Sequence, residues 1–132
     1  MQFRELSLDE IVDNFETISL HYIDLDIDNF REFLEKNHPS SYRAIGAFER
    51  GELLIYAGVS IRENLSYGLF IEVEEFISQN RLHTKEMLDF INDYAKLYGC
   101  KKILLNTPAI GLNIDDLADY TPARGIFMSE PI

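Results

Sequence analysis

The sequence is poor in the residues that cross-link chains or break them into separate parts. It contains a single cysteine, Cys100, so no disulfide can form within the chain, which suits a reducing compartment. Only four prolines and seven glycines occur among 132 residues, and no repeat or low-complexity linker interrupts them. With 46% hydrophobic residues the chain can bury a core of ordinary size. We therefore expect one domain over residues 1–132, located in the cytoplasm.

Long apolar runs and positive charge are also scarce. No apolar stretch approaches the ~20 residues that span a bilayer, and MQFRELSLDE lacks the pattern of a signal peptide. Twelve Lys and Arg stand against 23 Asp and Glu, a net charge of −11. Such a field repels nucleic acids and anionic lipids, so neither is expected as a partner. It favours a cationic partner such as an amine, although acidity also simply keeps small proteins soluble.

Two helices are predicted near the N-terminus. Residues 7–10, SLDE, have the capping-box pattern of a helix start, and apolar residues follow on one helical face. These are Ile11, Phe15, Ile18 and Tyr22. A second helix is predicted over 28–36, burying Phe30, Phe33 and Leu34, and ending before Pro39.

The rest of the chain predicts a mixed sheet. Strands are indicated over 42–49 and 53–62, joined by a hairpin turn, and over 69–77. In the third strand Leu69, Ile71 and Val73 share one face, and Phe70, Glu72 and Glu74 the other. A helix ending at Gly99 and a strand over 100–107 complete a right-handed parallel crossover. The fold class is therefore mixed α/β with helices on both faces, and the tail predicts a short helix over 113–120 and a last strand over 126–132.

The turn between the third strand and its helix, SQNRLHT at 78–84, is a candidate anion site. A helix N-terminus offers unpaired N–H groups to an anion, yet no glycine occurs between Gly68 and Gly99 to let a ligand approach. Arg81, His83 and Lys85 cluster here, where cations are unfavourable unless a bound anion offsets them. The alternative is three solvated side chains with Glu86 as a nearby partner.

Acidic clusters offer two further hypotheses. Glu72, Glu74 and Glu75 lie beside apolar neighbours, which can raise a carboxyl pKa and suit a base that deprotonates an ammonium ion. Residues 24–35, from Asp24 to Glu35, space their acids much like a calcium loop, but Asn29 and Arg31 break that pattern. An acidic first turn of a helix explains the same residues, and no metal is expected. Cys100 is interpreted as a small core residue.

This order of elements resembles the GNAT superfamily of acyl-CoA-dependent N-acetyltransferases. The likeness runs from about Phe3 to Ile132 and is most apparent in SYRAIGAFERGELLIYAGVSIRENLSYGLFIEVEEFIS, 41–78, and MLDFINDYAKLYGCKKILLNT, 87–107. It implies acetyl-CoA as cosubstrate and a small or peptidic primary amine as acceptor. It also implies a central strand that splays from its neighbour to admit the thioester, and it leaves a homodimer open.

The family motif Q/R-x-x-G-x-G/A, which holds the coenzyme A pyrophosphate, is only partly present. Residues 79–84 align with it as QNRLHT, so Leu82 and Thr84 replace both small residues. The Leu82 side chain could block the phosphates or tilt away from them. By resemblance the cosubstrate contacts are Phe76, Ile77, Ser78, Gln79, Asn80, Arg81, Leu82, His83 and Thr84.

The resemblance also implies catalytic roles. Glu74 or Glu75 would take the proton of the amine, directly or through water, and the amides of 76–78 would polarise the thioester carbonyl. Tyr120 would protonate the departing thiolate, although the Y-x-x-x-G-F pattern around it is loose. Because both loop glycines are absent, the alternative is a catalytically silent GNAT-fold module for binding or regulation.

Overall fold

A seven-stranded mixed sheet forms the centre of the fold. The structure, a computed structural model, describes residues 1–22, 24–78, 81–105, 117, 119–123 and 126–131. The strands are β1 Gln2–Glu5, β2 Arg43–Glu49, β3 Glu52–Asn64, β4 Gly68–Ser78, β5 Lys102–Leu105, β6 Thr121–Ala123 and β7 Ile126–Ser129. Their order is β1-β2-β3-β4-β5-β7-β6. The β4–β5 pair is parallel and the other five neighbouring pairs are antiparallel. The predicted mixed sheet and its parallel crossover are confirmed.

The helices lie on both faces of this sheet, as predicted. They are α1 Leu8–Asp13, α2 Phe15–Ile18, α3 Ile27–Asn37 and α4 Thr84–Leu97, with 3₁₀ turns at Ser19–His21 and Arg81–His83. One buried core lies between the sheet and α4, where Met87 and Ile91 pack against β4 residues. The other lies between the sheet and α1–α3, where Ile11 and Leu34 are buried. No helix in the described part of the chain is long and apolar enough to cross a membrane.

The first predicted helix is broken in two at Asn14. Its start is as expected, because Ser7 Oγ accepts from the Glu10 amide at 3.2 Å and Glu10 Oε1 accepts from the Ser7 amide at 3.0 Å. The Asn14 side chain then donates to the Glu10 carbonyl at 2.8 Å, so it competes with the backbone for that acceptor. Ile11 and Ile18 are nevertheless both buried, as their spacing predicted.

One strand was not predicted from the sequence, and one sequence prediction needs correction. Residues 2–5 form an edge strand antiparallel to β2 that the short QFRE run did not reveal. Phe33 was expected in the core but is 43% exposed, because it lies at the outer edge of α3 with its ring against Tyr42 at a centroid distance of 5.2 Å. The predicted helix over 113–120 lies mostly outside the described residues.

A β-bulge in β4 changes which way its side chains face. Gly58 of β3 pairs with Glu75, whereas the next residue, Val59, pairs with Val73. Glu74 is therefore an extra residue on β4, and two residues of that strand oppose one of β3. Such an insertion reverses the alternation of side chains beyond it.

This reversal gathers three carboxylates on one face. Before the bulge, Val73 belongs to the core beneath α4, and beyond it Phe76 does so too. Without the bulge those two residues would face opposite sides of the sheet, because side chains alternate along a strand. The intervening shift places Glu75 on the α3 side, together with Glu72 and the bulge residue Glu74.

Candidate functional site

The candidate site lies where β4 leaves its parallel neighbour. The two strands pair from Phe70–Lys102 to Val73–Leu105 and no further, yet β4 continues to Ser78. Over residues 75–78 it is paired with β3, and the bulge residue Glu74 has no partner in that ladder. In an antiparallel strand the backbone groups of alternate residues point away from the partner, so some of these amides face the side that β5 has left.

A cavity of about 510 Å³ adjoins this point on the α3 side of the sheet. Its floor carries the carboxylates of Glu72, Glu74 and Glu75, and its walls come from α3, the segment before it and the residue that precedes β2. The wall residues are Tyr22, Leu25, Asn29, Phe30, Phe33 and Tyr42. A cavity of this size suits a small molecule, and its charge suits a cationic one.

Glu75 is the buried anchor of the site. Its side chain is 5% exposed, and its carboxylate accepts hydrogen bonds from the hydroxyls of Tyr22, at 2.6 Å, and Tyr42. The Tyr42 hydroxyl also lies 2.7 Å from that of Tyr56. Burial, then the neighbouring Tyr56 and Glu75, raises the pKa of Tyr42 well above its usual value, so this tyrosine stays protonated. The network fixes the Glu75 carboxylate in place.

The lack of a side chain at Gly58 makes room for this network. A Cβ at position 58 would lie 2.1 Å from Glu75 Oε1 and 2.2 Å from the Tyr42 hydroxyl. Real Cβ atoms do not approach other atoms so closely, and both neighbours are buried. Glycine is therefore required here for close approach and not for backbone conformation.

Glu74 differs from Glu75 in its surroundings. It is partly buried, and that burial raises the pKa of its carboxyl, followed by the charges of Glu75 and Glu72. The Arg62 guanidinium and the Ser60 hydroxyl oppose this rise. A carboxylate with a raised pKa is a better proton acceptor. Glu75, in contrast, already accepts hydrogen bonds from two tyrosine hydroxyls. The structure thus separates two residues that the sequence had left as equals.

Arg62 supplies the positive charge next to the cavity. It makes an ion pair with Glu72, whose side chain is largely buried, and its guanidinium lies over the Phe70 ring at 5.6 Å from the centroid. Arg62 therefore offsets part of the negative charge of the three carboxylates on the floor. A bound ammonium group would reduce the remaining excess of negative charge.

The residues aligned with the pyrophosphate motif divide into buried and exposed ones. Phe76, Ile77, Ser78 and Thr84 are all buried, and the Ser78 and Thr84 hydroxyls lie 3.4 Å apart. Thr84 is thus a core residue that bridges β4 and α4. Gln79, Asn80 and the side chain of Arg81 lie outside what the structure describes.

Leu82 does not fill a pocket at this turn. Its side chain is 84% exposed, so of the two alternatives for it the structure favours the outward one. His83 is the N-cap residue of α4 but makes no side-chain bond to the first amides of the helix. Its Nδ1 instead lies 3.0 Å from Glu86 Oε1. The isobutyl group at position 82 is therefore turned largely to solvent.

Lys85 and Tyr120 lie apart from the three carboxylates. The Lys85 ammonium donates to Asp89 at 2.8 Å and to Asp119 at 3.3 Å. Tyr120 packs against the core beneath α4 and lines a second, smaller cavity of about 240 Å³ with these same residues. Burial, then the charges of Asp119 and Asp89, raises the pKa of Tyr120. Tyr120 and Glu74 are thus not brought into one cavity.

The acidic run at 24–35 serves as a helix start. Asp26 Oδ1 accepts from the amides of Asp28 at 2.7 Å and Asn29 at 3.0 Å, which caps α3. Across the described residues, no group of three or more His, Cys, Asp or Glu is arranged to hold a metal ion. Phe30 and Phe33 of the cavity wall follow directly from this cap.

Sequence reasoning missed several residues of the site. Tyr22 and Tyr42 lie 53 and 33 positions from Glu75, and no local pattern connects them. Gly58 sits inside a strand, where an isolated glycine can signal a bulge or a close approach. That signal was available in the sequence, but the tyrosine contacts were not.

Comparison with known proteins identifies the fold. No protein-family model matches the chain, and no curated protein sequence does. Among solved structures, the aminoglycoside 6'-acetyltransferase type Ii aligns with 100% of this chain and 98% of its own, with a TM-score of 0.68 and 12% identity. A GNAT family acetyltransferase from Staphylococcus aureus covers 94% of both chains, with a TM-score of 0.67 and 10% identity. A ribosomal-protein-alanine N-acetyltransferase from Brucella melitensis covers 82% and 81%, with a TM-score of 0.66 and 18% identity.

Proposed function

The chain has the fold of the GNAT N-acetyltransferases, and from that premise we propose that it transfers an acetyl group from acetyl-CoA to a primary amine. The observation that carries the proposal is the position of Glu74. It is the first β4 residue beyond the pairing with β5, and it lines an acidic cavity at that point. A base beside a gap in the sheet is what an amine needs in order to attack an acyl group held in that gap.

The start of α4 fits the pyrophosphate of acetyl-CoA. The helix has 14 residues, and its N-cap residue, His83, makes no side-chain cap hydrogen bond, so the N–H groups and positive dipole end of this terminus would suit an anion. Leu82 points outward and does not fill the space above them. The amides of Phe76, Ile77 and Ser78 run from the gap toward this helix. When bound, acetyl-CoA supplies an activated acyl carbon.

Proton transfer is assigned to Glu74. As a carboxylate it accepts a proton from the ammonium form of the acceptor, either directly or through a water molecule. Glu75, held by Tyr22 and Tyr42, keeps the bulge that presents Glu74 in place. Amides of 76–78 that face the gap would stabilise the negative charge that develops on the carbonyl oxygen.

Tyr120 keeps its role as the thiolate acid only by resemblance. Its raised pKa keeps the hydroxyl protonated and able to donate, but also makes it a weaker acid. Location in the cytoplasm and the formation of a homodimer likewise stay predictions.

Release of coenzyme A thiol in the presence of a panel of primary amines tests the proposal. We expect amine-dependent release, with acetylated amine detected by mass spectrometry, and a loss of about 10²–10⁴-fold in kcat/KM for Glu74→Gln. Glu63→Gln is a matched control, because Glu63 is an exposed β3 residue outside the cavity. Absence of transfer to every amine, together with no binding of acetyl-CoA, would favour the silent binding module instead.

A further inference from the structure

The lining of the 510 Å³ cavity indicates what kind of amine it accepts. We propose that the acceptor is an amine with a compact aromatic or aliphatic body, and not a polyhydroxylated amine such as an amino sugar. This inference rests on the proposed function and adds the chemical class of its acceptor.

The walls of the cavity are apolar. Leu25 and Phe30 form its inner side, and the Phe30 ring is supported by Phe15 at a centroid distance of 5.5 Å. Phe33 and Tyr22, which are 43% and 41% exposed, stand where the cavity opens. Large apolar side chains left open to solvent around a cavity gain free energy when an apolar ligand covers them.

The walls have few polar groups to satisfy hydroxyls. Apart from the two tyrosines, whose hydroxyls both donate to Glu75, the only polar wall residue in the described lining is Asn29. Each ligand hydroxyl buried without a partner costs free energy. A polyhydroxylated amine would bury several such groups here, whereas an apolar amine would bury none.

The polar groups of the cavity lie mainly on its floor, where the amino group of the acceptor would lie. The three carboxylates share this region with Ser60, which pairs with Glu72 in the ladder and so faces the same side of the sheet. Ser60 is 4% exposed, and its hydroxyl lies close enough to the Glu74 carboxylate to lower the pKa of that group. A buried hydroxyl in this position can accept a hydrogen bond from a ligand N–H.

The reaction on such an acceptor is balanced without further reactants. The ammonium group loses one proton to Glu74, and its nitrogen lone pair forms a bond to the acyl carbon. The carbon–sulfur bond breaks with its electron pair on sulfur. The nitrogen then loses a second proton and the thiolate takes up one, so the products are the N-acetylated amine, free coenzyme A thiol and protonated Glu74. The apolar body stays against the wall throughout and takes no part in the bond changes.

Steady-state kinetics with two amines test the acceptor class. We expect kcat/KM for 2-phenylethylamine to exceed that for glucosamine by at least about 100-fold. Phe33→Ala should lower kcat/KM for 2-phenylethylamine about 10-fold, chiefly by raising KM, because the lost contact lies away from the reacting nitrogen. Leu97→Ala is the matched control, since it removes an exposed apolar side chain at the far end of α4 and should change neither constant.

A binding measurement separates failure of this inference from failure of the proposed function. In calorimetric titrations 2-phenylethylamine should bind at least about 10-fold more tightly than glucosamine and than 2-phenylethanol, its uncharged analogue. If no amine is acetylated but this order of binding holds, the transferase proposal fails and the cavity assignment stands. Equal or stronger binding or turnover of glucosamine, or no effect of Phe33→Ala, would overturn the assignment.

Discussion

Gly58→Ala should be among the most destabilising small substitutions in the protein. The added Cβ would meet Glu75 Oε1 at 2.1 Å and the Tyr42 hydroxyl at 2.2 Å, and both groups belong to a buried network. Forcing one methyl group into a well-packed core costs about 1–3 kcal/mol. Separating Glu75 from one tyrosine adds about 1.5–3 kcal/mol, because the lost hydrogen bond involves a charged group. We therefore expect a loss of about 2.5–6 kcal/mol in the free energy of unfolding.

Urea denaturation followed by circular dichroism measures this loss. With a slope of about 1–3 kcal/mol/M, the midpoint should fall by roughly 1 M or more without a change in slope. Gly51→Ala is the comparison, because Gly51 has a positive φ of 80° but open space around its Cβ position. That variant should lose only the roughly 1–2 kcal/mol of backbone strain.

A double-mutant cycle shows whether the proposed contact is the cause. In a Tyr42→Phe background one of the two shortest clashes is absent, so Gly58→Ala should cost at least about 0.5 kcal/mol less than in the wild type. A Gly58→Ala protein within about 0.5 kcal/mol of wild type, or one more stable than Gly51→Ala, would refute the account of this site.

Three further predictions concern the cavity and its supports. Burial raises the folded-state pKa of Glu74 above 4.5, so ionisation of this group destabilises the fold as pH rises. The thermal unfolding temperature of Glu74→Gln should therefore equal that of wild type near pH 3.5 and be higher than that of wild type at pH 7. In a wild-type pH profile of acyl transfer, kcat/KM should fall as pH falls through that raised pKa, since only the carboxylate accepts a proton. Tyr22→Phe removes one donor from the Glu75 carboxylate and should cost about 1–2 kcal/mol in urea denaturation, and a change below 0.3 kcal/mol would contradict the bond. Asp26→Ala removes the cap of α3 and should cost about 1 kcal/mol, whereas the nearby Asp24→Ala, which makes no cap hydrogen bond to α3, should be neutral.

Local patterns in the sequence predicted most of the fold. The capping box at Ser7, the periodicity from Met87 to the left-handed Gly99 and the buried strand after it all correspond to observed elements. Each of these signals depends on residues within one turn or one strand, so a single sequence contains them in full. The edge strand at 2–5 was not predicted, because four residues are too few to show the alternation of a strand.

The arrangement of the site was less accessible from sequence. A bulge at Glu74 reverses the facing of everything beyond it, and nothing in IEVEEF distinguishes a regular strand from a bulged one. The distinction between Glu74 and Glu75 depends on Tyr22 and Tyr42, which reach Glu75 only after α3 has packed on the sheet. Predicting such contacts requires the tertiary structure and not the local pattern.

The most direct test of the central claim is calorimetric titration with acetyl-CoA, because transfer requires that the glycine-less turn before α4 still holds this cosubstrate. We expect binding with a Kd on the order of micromolar, about −8 kcal/mol, weakened several-fold in Arg81→Ala. Leu82→Ala should bind as wild type does, since that side chain points outward. No heat and no thermal shift at millimolar acetyl-CoA would contradict the claim.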